Sequence, residues 1–388
     1  MASALLLARA GHRITLFERV SVPGPVGAGL LLQPTGLQVL EQLGLASQIR
    51  ATGARIDRLL GTTADGSKIL DLTYADESPD LHGVGIHRGA LSNALWSAIR
   101  TTDLTLRLGA EVERVEVAAD CATVHHRSGD VEQFDLVVLA DGTFSQLRKH
   151  VAIPHEITVY PWGAWWTILR DPERRYQGVL RQTYRDASQM LGIMPVGRLS
   201  ASTISTMQYV TLFWSVRRID EAPLRARSLQ AWKDEVLALA PAVEPLLAQI
   251  AEFEQLIFAT YADVRMYPWH DQRIVVIGDA AHATSPQLGQ GANLALVDAL
   301  VLTRCLALLA DIPIALAAYT AARRAHLNYY QFASSALTPM FQSDGWILPF
   351  LRDRLLPYAC RLPGVRGQML STLTGSKAGL LRGKLLLD

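Results

Sequence analysis

The run from Gly278 to Ala299, GDAAHATSPQLGQGANLALVDA, constrains the fold of this chain more than any other feature. It directly follows Arg273 to Ile277 (RIVVI), an apolar run that predicts a buried strand. Asp279 would therefore place a carboxylate at the carboxyl edge of a parallel sheet, where ligands bind in such folds. Gly289 and Gly291 carry no side-chain bulk, so their backbone can approach a flat ligand closely. The apolar stretch that follows predicts a long helix, whose N-terminus would stabilise negative charge on that ligand.

Eight positions of this run share one pattern, GD-x(6)-P-x-x-G-Q-G-x-N-x(4)-D. They are Gly278, Asp279, Pro286, Gly289, Gln290, Gly291, Asn293 and Asp298. The pattern resembles the second flavin-contacting motif of the para-hydroxybenzoate hydroxylase-like FAD monooxygenases. The resemblance implies that Asp279 contacts the ribityl chain, and that the backbone from Gly289 to Asn293, with Ala292, faces the pyrimidine edge of the flavin. His282 and Asp298 are expected to have structural roles.

Two further segments carry the same resemblance. Leu136 to Ala140 (LVVLA) predicts a buried strand that leads into Asp141 and Gly142. This Asp-Gly pair resembles the family's DG motif, near the FAD pyrophosphate and linked to pyridine-nucleotide use. Arg88, at the start of a predicted helix, matches a family arginine near the cofactor, and its permanent charge suits phosphate. Taken alone, an Asp-Gly turn after a strand is common, and a helix-start arginine can simply be solvated. Gln33 and Gly29 are weaker candidates.

The order of predicted elements indicates an α/β protein with a Rossmann-like FAD-binding domain, an inserted antiparallel-sheet substrate domain and a helical C-terminal region. The FAD-binding domain is expected in three segments, residues 1–57, 81–155 and 262–335. The substrate domain is expected in two, residues 58–80 and 156–261, and the C-terminal region covers residues 336–388. Strands near the start of the chain, near residue 138 and near residue 275 are expected to share one sheet.

The front of the predicted FAD-binding domain lacks its first strand and its phosphate loop. A dinucleotide-binding unit begins with a strand, G-x-G-x-x-G, a helix, a second strand and an acidic residue roughly 20 residues after the glycines. Here a helix over Ala2 to Ala10 leads into a strand over Ile14 to Glu18. Glu18 fits the acidic residue, which would bind the adenosine ribose. The family spacing places the last glycine just before Met1.

Two explanations of this missing front stay open. The start is misassigned or trimmed and about 15 to 25 residues precede it, or the chain is genuinely short. The first is favoured, because a missing central strand would leave its neighbours with unpaired backbone groups. The sequence as written therefore predicts weak or absent FAD binding, and restoring the upstream codons should increase the bound flavin.

The resemblance implies an FAD-dependent, NADH- or NADPH-consuming monooxygenase that hydroxylates an aromatic or other apolar small molecule with O₂, through a hydroperoxyflavin. A phenolic substrate supplies its own electrons, so no catalytic base is named. Four aromatic or methionine side chains of the predicted sheet are candidates for the substrate pocket, although core packing is the favoured interpretation of each one taken singly: Trp166, Tyr184, Met194 and Phe213. Such side chains favour an apolar or aromatic substrate.

Two alternatives stay open beside this function. One is a related flavoprotein reductase, which oxygenated product would exclude. The other is a flavin-free remnant that acts as a binding module, supported by the absent phosphate loop. A colourless protein that stays colourless with added FAD would favour the remnant. A halogenase is disfavoured, because its Trp-x-Trp-x-Ile-Pro signature does not occur in the sequence.

Net charge and cysteine spacing give no support for nucleic-acid binding, a metal site or a redox motif. The formal charge is +1, from 37 basic and 36 acidic residues, so there is no basic excess for nucleic acid. The three cysteines match no metal-ligand or redox spacing and suit a reducing cytoplasm. We expect a cytoplasmic monomer or homodimer. Peripheral membrane contact is an alternative for the tail after Gly345, where leucines accompany seven basic residues. These are Arg352, Arg354, Arg361, Arg366, Lys377, Arg382 and Lys384.

Overall fold

The computed structural model describes residues 1–24, 27–199, 206–380, 383–385 and 387, so Arg382 lies outside the described residues. The first strands are β1 (Thr15–Glu18), β2 (Gly29–Leu32), β3 (Ala54–Thr63), β4 (Lys68–Thr73), β5 (Gly83–His87), β6 (Thr105–Leu108), β7 (Val112–Val117), β8 (Ala122–His126) and β9 (Val131–Phe134). The later strands are β10 (Val137–Leu139), β11 (His155–Arg170), β12 (Gly178–Arg185), β13 (Gln189–Gly197), β14 (Tyr209–Arg217), β15 (Ile257–Met266), β16 (His270–Asp271) and β17 (Ile274–Val276).

The helices connect and cover these strands. They are α1 (Ala2–Arg9), α2 (Pro34–Gln42), α3 (Ala46–Thr52), α4 (Arg88–Arg100), α5 (Glu221–Arg225), α6 (Leu229–Leu239), α7 (Glu244–Leu247), α8 (Asp279–His282), α9 (Gly291–Leu308), α10 (Ile312–Phe341), α11 (Ile347–Ala359) and α12 (Pro363–Leu373). The α4 helix begins at Arg88, as predicted, and α11 and α12 lie in the predicted helical C-terminal region.

The largest sheet has nine strands, in the order β15-β11-β14-β13-β12-β3-β5-β2, with β4 paired to β3. Its pairings are antiparallel except for β12 with β3, which run parallel. The α6 and α7 helices pack on one face, where Trp165, Trp214 and Trp232 lie in one apolar cluster. The β2 and β5 strands belong to segments predicted for the FAD-binding domain, but they pair in the same sheet as the strands predicted for the substrate domain. One sheet therefore runs through both predicted domains. The domain boundaries given above stay predictions.

The remaining strands form smaller sheets. The β10 strand pairs in parallel with β17, which also pairs with β16, while β1 pairs in parallel with β6. The β7, β8 and β9 strands form a three-stranded meander that the sequence pattern did not predict. Of the three strands predicted to share one sheet, those near residue 138 and near residue 275 do pair with each other, whereas the prediction is wrong for the strand near the start, β1, which pairs with β6. Strands of one sheet lie about 4.8 Å apart and bond to each other through the backbone. Within the described residues, no strand bonds to both β1 and the β10-β17 pair, so the two form separate sheets.

Helix α9 connects these sheets in place of a shared strand. Leu296 and Leu300 pack in the apolar cluster with α1 and α4, whereas Leu294 and Leu302 pack in the cluster with β10 and β17. By length and composition α9 is apolar enough to cross a membrane, but 56% of it is buried inside the protein. Its apolar character is therefore explained by its position between two cores.

Candidate functional site

Two parallel strands end side by side at the centre of the candidate site. The register runs from Val137 opposite Ile274 to Leu139 opposite Val276. Ile277 N then donates to Leu139 O over 3.0 Å. The two predicted segments, Asp141-Gly142 and Gly278-Asp279, therefore emerge at the same sheet edge, which is the position where α/β folds bind ligands.

The turn after β17 requires glycine and leaves a carboxylate exposed. Gly278 has φ +59°, and a Cβ on it would lie 3.1 Å from the Ala295 Cβ. Its N–H donates to the Asp298 carboxylate over 2.9 Å. Asp279, the first residue of α8, is exposed. A Cβ on Gly291 would lie 3.5 Å from Asp279 Oδ1. The carboxylate thus faces the start of α9 across a gap that a larger residue at position 291 would fill.

The loop between α8 and α9 is a short 3₁₀ turn over Pro286–Leu288. It ends at Gly289 in the left-handed region, with φ 60° and ψ 30°. The Gln290 side chain is buried and donates to Thr372 O over 3.2 Å and Leu373 O over 2.7 Å. These bonds hold the C-terminal end of α12 and use the side-chain Nε2 of Gln290, whereas its buried Oε1 has no hydrogen-bond partner among the described residues.

The first turn of α9 presents backbone donors to the same space. Its first intrahelical hydrogen bond runs from Leu294 N to Gln290 O over 2.9 Å. The N–H groups of Gly291, Ala292 and Asn293 precede that bond, as the first N–H groups of every helix do. Gly291 is exposed and Ala292 is half-buried. A negatively charged edge placed here would meet backbone donors and the positive end of the helix dipole.

Asn293 positions the neighbouring backbone through its side chain. Its Oδ1 accepts from Gln33 N over 2.8 Å, and its Nδ2 donates to Leu31 O over 3.1 Å and Gly289 O over 3.0 Å. Both amide hydrogens are therefore in use. The side chain of Asn293 fixes the end of β2 against the start of α9, and a bound ligand would meet its backbone N–H.

The structure makes Gln33 a stronger candidate for cofactor binding than the sequence did. Its side chain is fully buried, and its Oε1 accepts from the Tyr74 hydroxyl over 2.7 Å. Its Nε2 has no hydrogen-bond partner in the part of the chain that the structure describes. An unpaired buried amide donor is costly, and a ligand with acceptor atoms beside Asn293 would satisfy it. Burial raises the pKa of Tyr74 far above its ordinary value, although the bond to Gln33 opposes this.

A buried polar network supports the turn from behind. Asp298 accepts from His282 Nε2 over 2.5 Å and from Arg323 Nε over 2.7 Å, in addition to Gly278 N. Burial alone would raise the pKa of Asp298, but the charges of His282 and Arg323 hold it well below its usual range. Asp298 and His282 are thus placed as their expected structural roles require.

Arg323 and His326 complete this network, and sequence reasoning missed both. Burial and the adjacent Arg323 charge lower the pKa of His326 to about 3. The neutral ring accepts from Arg323 at Nδ1 over 2.5 Å and donates from Nε2 to Gly375 O over 3.0 Å. Their i, i+3 spacing in α10 was the only available signal, and because the same helix also carries Arg324, Asn328 and Gln331 it identifies no partner on another element.

The second motif is tied to the first by a buried arginine. Gly142 has φ +88° and Asp141 is exposed. Arg148, fully buried, donates to Thr143 O over 2.7 Å and also to Ala280 O in α8. Burial lowers the pKa of Arg148, and the Asp141 charge opposes that shift. The loop after β10 and the helix α8 after β17 are therefore linked by hydrogen bonds from the same Arg148 guanidinium.

Arg88 and Glu18 lie apart from these contacts. Arg88 begins α4, is exposed, and its side chain forms no ion pair among the described residues. Its N–H donates to Ala28 O over 3.0 Å, next to Gly29, which pairs with His87. Gln33 follows the other end of β2, and its backbone lies about 13 Å from that of Gly29 at about 3.3 Å per residue. Glu18 ends β1, half-buried, and accepts from Val20 N over 2.9 Å.

The four candidate pocket residues share one face of the large sheet. Phe213 lies opposite both Trp166 and Gly192, Met194 lies opposite Thr211, and Tyr184 lies opposite Met190. Strand alternation therefore puts Trp166, Tyr184, Met194 and Phe213 on the same side, away from α6 and α7.

These four side chains divide into two groups by their neighbours. A Cβ on Gly29 would lie 3.0 Å from Met194 Cε, so Met194 packs against β2. Trp166 and Phe213 are half-buried. Tyr184, in contrast, is buried against Phe341 at 5.4 Å between ring centroids, which is core packing. Their assignment to a substrate pocket stays a prediction.

Comparison with known proteins adds independent findings. A family model described as an FAD-binding domain matches residues 1–330. The chain is 27% identical over 369 residues to the aurachin C monooxygenase/isomerase of Stigmatella aurantiaca, covering 90% of this chain and 89% of that protein. It is 30% identical over 316 residues to the 3-amino-4-hydroxybenzoate 2-monooxygenase of Streptomyces cremeus, covering 78% of this chain and 75% of that protein.

Solved structures show the same fold. Klebsiella pneumoniae HpxO, complexed with FAD and uric acid, matches with a TM-score of 0.79 at 21% identity, covering 96% of this chain and 94% of that chain. A 2-methyl-3-hydroxypyridine-5-carboxylic acid oxygenase matches with a TM-score of 0.75 at 21% identity, covering 91% and 92%. The predicted fold class is confirmed.

Proposed function

This chain belongs to the FAD-binding domain family and is an FAD-dependent monooxygenase, and on that premise we propose that it oxidises NADH or NADPH in order to hydroxylate an aromatic or other apolar small molecule. The balance is substrate-H, O₂, NAD(P)H and a proton giving substrate-OH, water and NAD(P)⁺. When bound, FAD would supply the electron transfer and the oxygen activation that the family resemblance implies. Binding, orientation and exclusion of water are the tasks of the chain itself.

One observation carries this proposal: an exposed carboxylate, Asp279, faces the open N-terminal turn of α9 across Gly291. The donor set fits a flavin. Asp279 can accept a hydrogen bond from a ribityl hydroxyl, and the N–H groups of Gly291 to Asn293 can stabilise the negative charge of a reduced ring. Gln33 Nε2 is an additional donor. Arg88 is proposed for the phosphates, Asp141 and Gly142 for the pyrophosphate region, and Glu18 for the adenosine ribose.

The proposed substrate position is the space beside β2 that the large sheet faces. Met194 packs on β2, and the half-buried Trp166 and Phe213 lie on the same sheet face. An apolar wall there would exclude water and orient an aromatic ring. The relative from Streptomyces cremeus is named for a hydroxybenzoate, and HpxO was solved with uric acid. A phenol would supply its own electrons, so the proposal assigns no catalytic base.

The test combines cofactor use with oxygen incorporation. NADH or NADPH oxidation is measured with added FAD against a panel of phenols and quinone precursors, and products are analysed by mass spectrometry under ¹⁸O₂. We expect substrate-stimulated oxidation and one labelled oxygen atom per product molecule. Oxidation that yields only hydrogen peroxide with every substrate, or product without label, would refute the proposal. A separate titration of the protein with FAD, followed by fluorescence quenching, tests the expectation of weak FAD binding.

A further inference from the structure

Helix α11 exposes most of its large apolar side chains and buries an arginine, unlike an ordinary surface helix. A helix on a globular protein normally faces its apolar side inward. Here the inward positions include Arg352, whose side chain is fully buried. Arg352 donates to Met340 O over 2.8 Å and to Asp186 O over 2.9 Å, and its guanidinium lies 4.9 Å from the Tyr184 ring centroid. The inner side of α11 is therefore held by a buried cation together with the buried Pro349 and with Leu356, which packs against the cluster of Tyr184 and Phe341, while most of its other apolar residues lie outside.

The outer side of α11 and its flanks forms a continuous apolar surface, which we name the α11 outer face. Its members are the exposed side chains Trp346, Ile347, Leu348, Phe350, Leu351, Leu355, Tyr358, Leu362 and Val365. Trp346 is 73% exposed, Tyr358 68% and Leu355 60%. Positions 347, 351, 355, 358 and 362 follow the three-to-four spacing of one helix face. Contiguous exposed apolar surface of this kind marks an interaction site.

The charges on the α11 outer face are positive. Arg354 lies over the Phe350 ring at 4.3 Å and Arg361 over the Tyr358 ring at 5.9 Å. Neither arginine forms a salt bridge within the described ranges. The one acidic residue between positions 346 and 365 is Asp353, which is bound to the buried Arg352.

Most acidic side chains on the surrounding elements are already paired. Along β4 and its following turn, Asp71 is bound by Arg58 and Lys68, Asp76 by Arg366 and Glu77 by Lys384, and in the α10–α11 connection Asp344 is bound by Arg217. Asp186, whose carbonyl oxygen accepts from the buried Arg352, is exposed and forms no ion pair among the described residues. Arg354 and Arg361 of the α11 outer face are therefore not neutralised by an ion pair within the part of the chain that the structure describes.

We propose that the α11 outer face binds the surface of an anionic lipid bilayer. Leucine and phenylalanine side chains would enter the region between headgroups and acyl chains, as in interfacial amphipathic helices. Trp346 and Tyr358 have the amphipathic rings that favour that depth. Arg354 and Arg361, each resting on an aromatic ring, would reach the phosphate groups.

A second copy of the chain fits this surface less well. A two-fold symmetric contact would place the α11 outer face against itself. Arg354 and Arg361 would then meet the same arginines, and the face offers no acidic side chain to separate them. Juxtaposed like charges oppose such an interface, whereas anionic headgroups complement it. A dimer through α11 is therefore treated as the competing outcome of the test.

Sedimentation of the purified full chain with vesicles tests the proposal without FAD or substrate, so its result is independent of the proposed reaction. Vesicles of phosphatidylcholine alone are compared with vesicles containing about one-third phosphatidylglycerol, at 0.1 M salt. We expect about tenfold stronger binding to the anionic vesicles, because each arginine near the surface adds a favourable electrostatic contribution. Recovery of the chain in the supernatant with both vesicle types would overturn the proposal.

Three variants sharpen the result. The double change Leu351→Glu and Leu355→Glu should abolish sedimentation. The double change Arg354→Gln and Arg361→Gln should remove the preference for anionic vesicles. Ile219→Glu, at an apolar residue that is 76% exposed elsewhere on the surface, should bind like the parent chain. Equal binding by all three variants would overturn the proposal. So would a lipid-free dimer in analytical ultracentrifugation that Leu351→Glu with Leu355→Glu dissociates.

Discussion

The two ends of the proposed FAD site are built differently. The ring end, from Gly278 to Asn293, is held by buried hydrogen bonds that reach β2, α9, α10 and α12. The adenosine end, at Glu18, lies on β1, whose described partner is β6, and all four residues of β1 are only half-buried. Glu18 itself bonds to Val20, two residues away. One end is thus fixed by long-range contacts and the other by local ones.

Because of this difference, some substitutions should change the free energy of unfolding and others should change the affinity for the flavin. Removing a buried partner leaves another polar group unpaired in the interior, so changes behind the ring end should unfold the protein. Exposed groups that face the ligand should alter binding and leave folding nearly unchanged. The adenosine end should affect only ligands that carry an adenosine.

The largest effect is expected for Asp298→Ala, which leaves the Arg323 guanidinium buried without its carboxylate. The free energy of unfolding should fall by about 3–5 kcal/mol, measured by chemical denaturation. The matched control is Asp311→Ala, which removes an exposed helix cap that accepts from Ile314 N and should cost about 1 kcal/mol. Equal losses in the two variants would contradict the special role of the buried network.

The next effect concerns pH. His326 has a folded pKa of about 3, below its ordinary value of 6.5. The unfolded chain therefore binds the proton first, and stability is lost as pH falls from about 6.5 toward 3, with a slope of up to roughly 1.4 kcal/mol per pH unit. His326→Gln removes this titration. Its unfolding free energy should depend less on pH in that window, and parallel curves for the two proteins would refute the prediction.

Asp279→Ala should weaken binding without unfolding the protein. A hydrogen bond to a charged group contributes about 1.5–3 kcal/mol, so the dissociation constant for riboflavin should rise about 10- to 100-fold. Riboflavin has the ring and the ribityl chain but no adenosine, which isolates the ring end. Fluorescence quenching measures the binding. Asp141→Ala, at another exposed carboxylate of the same sheet edge, is the control and should leave riboflavin affinity unchanged.

The smallest effect is expected for Glu18→Gln. The affinity for FAD should fall about three- to tenfold, because a neutral amide accepts a weaker hydrogen bond from the ribose than a carboxylate does. Riboflavin affinity should not change, since riboflavin has no adenosine. A loss of riboflavin affinity in this variant would show that the two ends do not act separately.

The sequence predicted those parts of the structure that depend on local patterns. Continuous apolar runs identified β10 and β17, and the glycine-rich run was placed correctly between a buried strand and a long helix. The sequence also placed Asp298 in a structural role. These features follow from backbone conformation and strand burial, which neighbouring residues determine.

The parts that were missed depend on tertiary contacts. Arg323 and His326 acquire their roles only because α10 packs against α9. The Gln290 side chain turns toward α12, some 80 residues later in the chain, and no local pattern indicates that direction. The place of β1 was predicted wrongly for the same reason: the order of elements along the chain does not show that β1 pairs with β6 and not with the β10-β17 sheet.

The Asn293 bonds also impose an order on folding during synthesis. Gln33 N and Leu31 O bond to a side chain 260 and 262 residues further along the chain. Thr35 N bonds to Thr374 O, 339 residues away. At roughly 5–20 residues per second, a ribosome needs on the order of 13–50 s to deliver Asn293 after Gln33. During that interval β2 can pair with β5 but lacks its contacts with α9, so part of its apolar surface should stay exposed and favour chaperone binding until Asn293 has been made.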